Sequence, residues 1–151
     1  MHRIVRLMAA AACVATLAPA RAAAPSLAGT LKCTAEVARA GETAARDWKV
    51  ACAFEPVKGQ VQHYVGAIND PGTAPGETGK AFLVWNVLIA GPEVQSGMLA
   101  GAYKGGNAAT KGLVGGRNGA VVLEPVTGPN QDDDINMAAR VSAIQLELPR
   151  A

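Results

Sequence analysis

Strict alternation of apolar and polar side chains limits this chain to a β-rich fold. The clearest case runs from Arg46 to Glu55, where the apolar set is Trp48, Val50, Cys52 and Phe54. A second segment, Thr30 to Ala35, alternates in the same way around Leu31, Cys33 and Ala35. Because successive side chains of a β-strand face opposite sides of its sheet, each segment should present one apolar face to a core. Both cysteines fall in the apolar sets, so we expect them to point towards that core.

Short apolar runs between turn residues continue along the rest of the chain. They predict further strands at Gln60 to Ile68, Ala81 to Ala90, Met98 to Lys104, Ala120 to Val126 and Val141 to Leu148. Asn118-Gly119 favours a tight hairpin turn, because both residues tolerate positive φ. This pattern is typical of all-β folds. We therefore predict an all-β, single-domain antiparallel β-sandwich or small β-barrel with about seven strands, between residues 23 and 151.

The N-terminus has the three parts of a secretory signal peptide. A basic start with Arg3 and Arg6 precedes an apolar stretch from Leu7 to Ala18, and Ala20-Arg21-Ala22 is a small-x-small cleavage site. We predict cleavage after Ala22, so that residues 1–22 are a signal peptide and the protein is periplasmic or secreted. The apolar stretch, of about 12 residues, is shorter than the roughly 20 that a membrane-spanning helix needs, and no later segment approaches that length.

Export would decide how the cysteines are used. Cys13 would leave with the signal peptide, and Cys33 and Cys52 would enter an oxidising compartment, where disulfides form and persist. Two cysteines allow one intramolecular pairing, so we predict a Cys33–Cys52 disulfide that ties the first two strands, with Arg39 to Ala45 as the connecting turn. The absence of Cys-x-x-Cys spacing argues against a pair of reactive thiols.

Charge excludes one class of partner. Loss of Arg3, Arg6 and Arg21 would take the 14 basic residues to 11, against 12 acidic ones, for a net charge of about −1. A chain near neutrality with no run of lysine or arginine lacks the basic surface that nucleic-acid binding requires. Nucleic acid is therefore rejected as a partner.

Catalytic and metal-binding residues are scarce. His63 is the one histidine after the predicted signal peptide, and none of Ser26, Ser96 and Ser142 lies in the Gly-x-Ser-x-Gly turn of a hydrolase nucleophile. A single histidine also excludes a His-based zinc site. The cluster Asp132-Asp133-Asp134 lacks the ligand spacing of a calcium-binding loop, so we interpret it as a solvated loop. We expect no metal and no cofactor.

Aromatic residues are the remaining candidates for a binding site. If the sheets enclose a pocket, Tyr64, Trp85 and Tyr103 are the side chains that we expect to line it. The alternative interpretation is that all three pack in the core.

Eight short segments, spread over nearly the whole chain after residue 22, carry a resemblance to a known family. They are Gly29 to Cys33, Cys52 to Phe54, Tyr64 to Ile68, Trp85 to Val87, Gly97 to Tyr103, Leu113 to Gly116, Leu123 to Val126 and Asn136 to Ala139. In order and spacing they resemble the domain-of-unknown-function family numbered 992, small secreted proteins of alphaproteobacteria. The glycine-rich run of that family is shortened here to Gly105 to Gly112, which argues against a ligand role for this loop. The resemblance implies a periplasmic setting and brings no known activity.

The sequence leaves three hypotheses for function. The first is a noncatalytic periplasmic binding or interaction module for a small apolar ligand or an envelope partner, because apolar strands are abundant and no catalytic constellation is present. The second is a hydrolase that uses distant carboxylates such as Glu55, Asp70 or Glu124, which would have to lie within about 5 to 10 Å of each other. The third is a structural envelope protein that self-associates through Ala81 to Ala90. That segment is apolar on both faces, which predicts either a doubly covered central strand or a strand with one face on a partner.

Overall fold

A computed structural model describes residues 17, 24–36, 48–69, 80–91, 93–105, 112–126 and 136–150. Within these ranges the chain forms eight β-strands and two 3-10 helices. The strands are β1 (Ser26–Glu36), β2 (Trp48–Pro56), β3 (Gln62–Ile68), β4 (Lys80–Ile89), β5 (Gly101–Gly105), β6 (Leu113–Gly115), β7 (Val121–Pro125) and β8 (Ala143–Glu147). The 3-10 helices are Arg117–Gly119 and Met137–Arg140.

The eight strands close into an antiparallel barrel in the order β1-β2-β3-β8-β5-β6-β7-β4. The predicted all-β antiparallel fold is thus confirmed, as a barrel with one strand more than the seven expected. The additional strand is β6, whose three residues are too few to show an alternating pattern. β6 and β7 form a hairpin, and its turn contains Asn118 and Gly119 with positive φ of 62° and 63°. The C-terminal strand β8 lies between β3 and β5.

Alternation determines which side chains fill the barrel. The apolar set of β2 points inward and is buried, as its pattern predicts, and the same holds for Leu31, Cys33 and Ala35 of β1. These side chains belong to one continuous core cluster. An eight-stranded barrel has an interior just wide enough for side chains to fill, and here aromatic and aliphatic residues occupy it.

The predicted disulfide joins Cys33 and Cys52, which are direct partners in the register of β1 and β2. Their Cα atoms are 4.0 Å apart, and both residues are buried. The two cysteines are 19 residues apart in sequence. A loop of this length should restrict the unfolded chain by about 3 kcal/mol in the chain-entropy account. The bridge therefore stabilises the fold and fixes the register of its first two strands.

A single side chain completes the barrel where β7 ends. β7 pairs with Trp85–Ile89 of β4, and the backbone N–H of Val126 donates one more bond to the carbonyl of Val84. Asn136 Oδ1 accepts the N–H of Val84 (2.9 Å), while Asn136 Nδ2 donates to the carbonyls of Val84 (3.0 Å) and Val126 (3.1 Å). Asn136 also forms a parallel bridge with Phe82. We call this set of contacts the Asn136 seam.

The antiparallel strands give the barrel two ends with different connections. Residues 57–61, 93–100 and 116–120 lie at the end that we call the upper end. Residues 37–47, 70–79, 106–111 and 127–135 lie outside the described residues. The predicted turn at Arg39 to Ala45, the acidic cluster at Asp132 to Asp134 and, apart from Leu17, the predicted signal peptide also lie outside them. In the described ranges, no helix has both the length and the apolar character needed to cross a membrane.

Candidate functional site

The three aromatic residues that were candidates for a pocket point into the barrel. Tyr64 on β3, Trp85 on β4 and Tyr103 on β5 are 1%, 0% and 1% exposed. Trp85 lies opposite Leu31 and Pro125 in the register, and its indole N–H has no hydrogen-bond partner among the residues described. All three side chains therefore belong to the packed interior.

The two tyrosines help to hold the segment before β5 against the upper end. The Tyr103 hydroxyl donates to the carbonyl oxygen of Leu99 (2.7 Å), and the Tyr64 hydroxyl donates to Gln62 Oε1 (2.7 Å). The same Gln62 oxygen accepts the backbone N–H of Gly97 at 3.4 Å. Leu99, which these contacts position, is fully buried. This cluster of Tyr64, Tyr103, Gln62 and Leu99 therefore closes the upper end of the barrel over the core.

The protonation of this cluster suits a structural role. Burial raises the pKa of Tyr103, and the neighbouring Tyr64 raises it further. Burial also raises the pKa of Tyr64, although hydrogen bonds from the backbone of Leu99 and Gly97 and the charge of Arg117 oppose the shift. Loss of solvation disfavours the charged phenolate. Both hydroxyls therefore remain protonated near neutral pH and act as hydrogen-bond donors.

A depression of about 540 Å³ lies on the outside of the barrel, across β4, β1, β2 and β3. We call it the outer groove. The register of the four strands arranges its outward-facing side chains in two rows. The first row is Phe82, Thr34, Ala51 and Val65. The second row is Val84, Lys32, Ala53 and His63.

The groove exists because β2 places alanines between larger neighbours. Ala51 and Ala53 form the floor, while Phe82 and Val65, which are 58% and 40% exposed, stand at opposite ends of the first row. Exposed apolar side chains at the ends of a depression of this volume could contact an apolar group of a ligand. The sequence contained two signs of it, namely alanines in the polar set of β2 and a segment, Ala81 to Ala90, that is apolar on both faces.

The disulfide lies directly beneath the floor of the outer groove. Cys33 and Cys52 point inward from the same stretches of β1 and β2 whose outward residues line the groove. Across these strands, Lys32 Nζ donates to Glu55 Oε2 at 2.8 Å. Both side chains are about half exposed, so this ion pair adds little stability. Its effect is to hold the lysine beside the floor.

The carboxylates considered for hydrolysis are not brought together. Glu55 and Glu124 share a cross-strand row, but Thr30 and Asn86 lie between them. Three strand spacings of about 4.7 to 4.9 Å place their backbones about 14 Å apart along the sheet. That separation exceeds the 5 to 10 Å or so that a carboxylate pair needs. Asp70 lies outside the described residues.

Other catalytic arrangements also lack support among the described residues. His63 lines the outer groove, and no serine is among the residues that line it. In the part of the chain that the structure describes, no three His, Cys, Asp or Glu side chains form a group that could hold a metal ion. The described lining of the groove has Lys32 and His63 in one row, and Phe82, Thr34, Ala51 and Val65 in the other.

Comparisons with known proteins identify the family of this chain. The model of the family described as "Protein of unknown function (DUF992)" matches residues 12–147. Comparisons with curated proteins and with solved structures gave no significant match. The matched range covers most of the chain and includes all eight strands of the barrel. The chain therefore belongs to the DUF992 family of proteins of unknown function.

Proposed function

We propose that this protein is an exported, noncatalytic binding module whose outer groove takes an apolar group of a small ligand or of an envelope partner. The observation that carries the proposal is the exposed Phe82 at one end of the row that crosses the alanine floor of β2. Removing the exposed part of one such aromatic side chain from water would contribute about 1 to 2 kcal/mol to binding.

The construction of the groove supports a binding role. Its floor belongs to β1 and β2, which a buried disulfide ties together. A floor held in one shape loses little conformational freedom when a ligand binds, and this preserves affinity. Among the described residues that line the groove, His63 has no carboxylate beside it.

Export is supported by two independent features. The N-terminal residues have the pattern of a signal peptide. The disulfide between Cys33 and Cys52 is of the kind that persists in oxidising compartments. A periplasmic or secreted location follows as part of the proposal.

Native mass spectrometry of the protein purified from the periplasm tests the proposal. We expect a bound species of defined mass on the wild-type protein, and its loss from Phe82→Ser. The matched control is Val57→Ser, because Val57 is similarly exposed but lies in the turn after β2, outside the groove. A bound species that survives Phe82→Ser, or a wild-type protein that carries none, would contradict binding in the groove.

Self-association is the second candidate function. Leu27, Leu88, Val122 and Val114 form an apolar cross-strand row on the outside of β1, β4, β7 and β6. This surface could pack against a second copy of the chain. Sedimentation equilibrium should then show a dimer that Val122→Lys dissociates and that Phe82→Ser leaves intact. A monomer at all concentrations would remove this candidate.

A further inference from the structure

Each outward-facing polar side chain that lines the outer groove can donate a hydrogen bond. These side chains are Lys32, Thr34 and His63, and among the described residues no aspartate or glutamate lines the groove with them. A lysine ammonium has three N–H donors, of which Glu55 engages one. Donors therefore remain available at the groove. A surface of this composition complements an anion.

The donors are concentrated in one row of the groove. Ala53 lies between Lys32 on β1 and His63 on β3. With strands about 4.7 to 4.9 Å apart, the backbones of Lys32 and His63 are separated by roughly 10 Å. The methyl group of Ala53 leaves open space between two longer side chains. A carboxylate or phosphate group above Ala53 could accept hydrogen bonds from both.

The adjacent row suits an apolar chain. Phe82, Ala51 and Val65 are apolar, and Thr34 contributes a methyl group as well as its hydroxyl. Glu147 lies opposite Val65 on the next strand. Its charge disfavours an anion at that end of the row and so favours the position beside Lys32.

The charges beyond the first row are mixed. Glu36 lies opposite both Lys80 and Lys49 in the register, and the Lys80 ammonium is 3.9 Å from a Glu36 carboxylate oxygen. Because these groups alternate in sign, they present no concentrated positive charge. Of the two edges of the groove, the one that contains Lys32 and His63 is therefore the better site for an anion.

We infer that the outer groove binds a small amphipathic anion, with its apolar body along Phe82, Ala51 and Val65 and its anionic head between Lys32 and His63. This inference rests on the proposed function and adds the class of ligand. The groove volume, about 540 Å³, lies within the roughly 300 to 1,000 Å³ of small-molecule sites. The ligand is a free amphiphile that enters the groove singly.

Isothermal titration calorimetry with three probes tests the inference. The probes are dodecanoate, dodecanol and dodecyltrimethylammonium, which share an apolar chain and differ in head-group charge. The two ions are kept below their micelle concentrations, and dodecanol is kept below its solubility limit. We expect dodecanoate to bind at least about tenfold more tightly than dodecanol, and the cation to bind most weakly. Equal affinity for dodecanoate and dodecanol would overturn the anionic assignment while leaving an apolar binding groove in place.

Variants locate the site. Lys32→Met and His63→Gln should each weaken dodecanoate binding several-fold and leave dodecanol binding unchanged. Glu55→Gln should strengthen dodecanoate binding, because it removes the carboxylate charge that pairs with Lys32. Ala53→Leu should abolish binding of both probes by filling the floor. The control is Lys49→Met. Lys49 is an outward-facing residue of β2, the strand that carries Ala53, but it lies outside the groove, so its substitution should change neither affinity.

Two further outcomes separate this inference from the proposed function. If none of the three probes binds, the ligand class is wrong, and the proposed function is then judged by the bound species that native mass spectrometry finds. If the protein sediments with phosphatidylglycerol vesicles but does not bind monomeric dodecanoate, the occupant is a membrane surface, and the inference of a free amphiphile is refuted.

Discussion

The Asn136 seam allows a stability change to be worked out from counted hydrogen bonds. In addition to its three bonds to Val84 and Val126, Asn136 Oδ1 accepts the N–H of Ala138 at 3.1 Å. Each bond contributes about 0.5 to 1.5 kcal/mol net, so four bonds total roughly 2 to 6 kcal/mol. Asn136 is only partly buried, and water can replace some partners. We therefore expect Asn136→Ala to lower the free energy of unfolding by about 2 to 3 kcal/mol.

Urea denaturation followed by tryptophan fluorescence measures this loss, and a melting curve should show a fall in Tm of about 4 to 12 °C. Asn136→Asp should destabilise at least as strongly at neutral pH, because a carboxylate oxygen would replace Nδ2 opposite two carbonyls. The control is Asn86→Ala, since Asn86 is half-buried on β4 and makes no side-chain hydrogen bond to the described residues. A loss below about 0.5 kcal/mol for Asn136→Ala, equal to that of the control, would refute the reasoning.

Three further predictions follow from the interior of the barrel. Tyr64 and Tyr103 are the two tyrosines of the chain, and burial raises the pKa of both. An absorbance titration should therefore show less tyrosinate at pH 10 in the folded protein than in the urea-unfolded protein, and stability should fall as the pH rises above about 10. Equal tyrosinate at pH 10 in the folded and unfolded protein would contradict this. A Cβ at Gly66 would collide with the backbone carbonyl of Gln145, whereas one at Gly105 would meet no atom of the described residues within 4 Å. Gly66→Ala should therefore prevent folding, and Gly105→Ala should change the free energy of unfolding by less than about 1 kcal/mol. Similar circular dichroism and urea midpoints for the two variants would count against the register of β3 and β8. Replacing both disulfide cysteines with alanine should cost about 3 kcal/mol in urea denaturation, and an unchanged midpoint would exclude a stabilising bridge.

Local alternation in the sequence predicted the strands, but closure of the barrel depends on contacts that are distant in the chain. β1 and β2 are long enough to show period two, whereas β6 has three residues and was missed. The choice between sandwich and barrel required the pairings of β3 with β8 and of β4 with β7. The Asn136 seam also joins residues far apart in sequence, since Asn136 and Val84 are separated by 52 positions.

The candidate site was only partly accessible to sequence reasoning. Aromatic residues suggested a pocket around Tyr64, Trp85 and Tyr103. All three side chains are buried inside the barrel, although Tyr64 is also among the residues that line the outer groove. Alternation gives only the face of a strand that a side chain occupies. The groove depends instead on small outward residues of β2 beside Phe82 of β4, two strands away. Such a neighbourhood can be recognised only after the strand order is known.

The groove and the closure of the barrel share the strand β4. The Asn136 seam holds the backbone of Val84, and Phe82, two residues away, is the exposed aromatic end of the groove. The disulfide holds the floor, whereas β8 pairs with β3 only over Val65–Ile68 and β7 pairs with β4 only over Trp85–Ile89. A segment held by fewer backbone pairs opens at lower free energy. We therefore expect a bound ligand to order the two walls of the groove more than its floor, so that protection from hydrogen exchange rises most at residues 62–64 and 80–83.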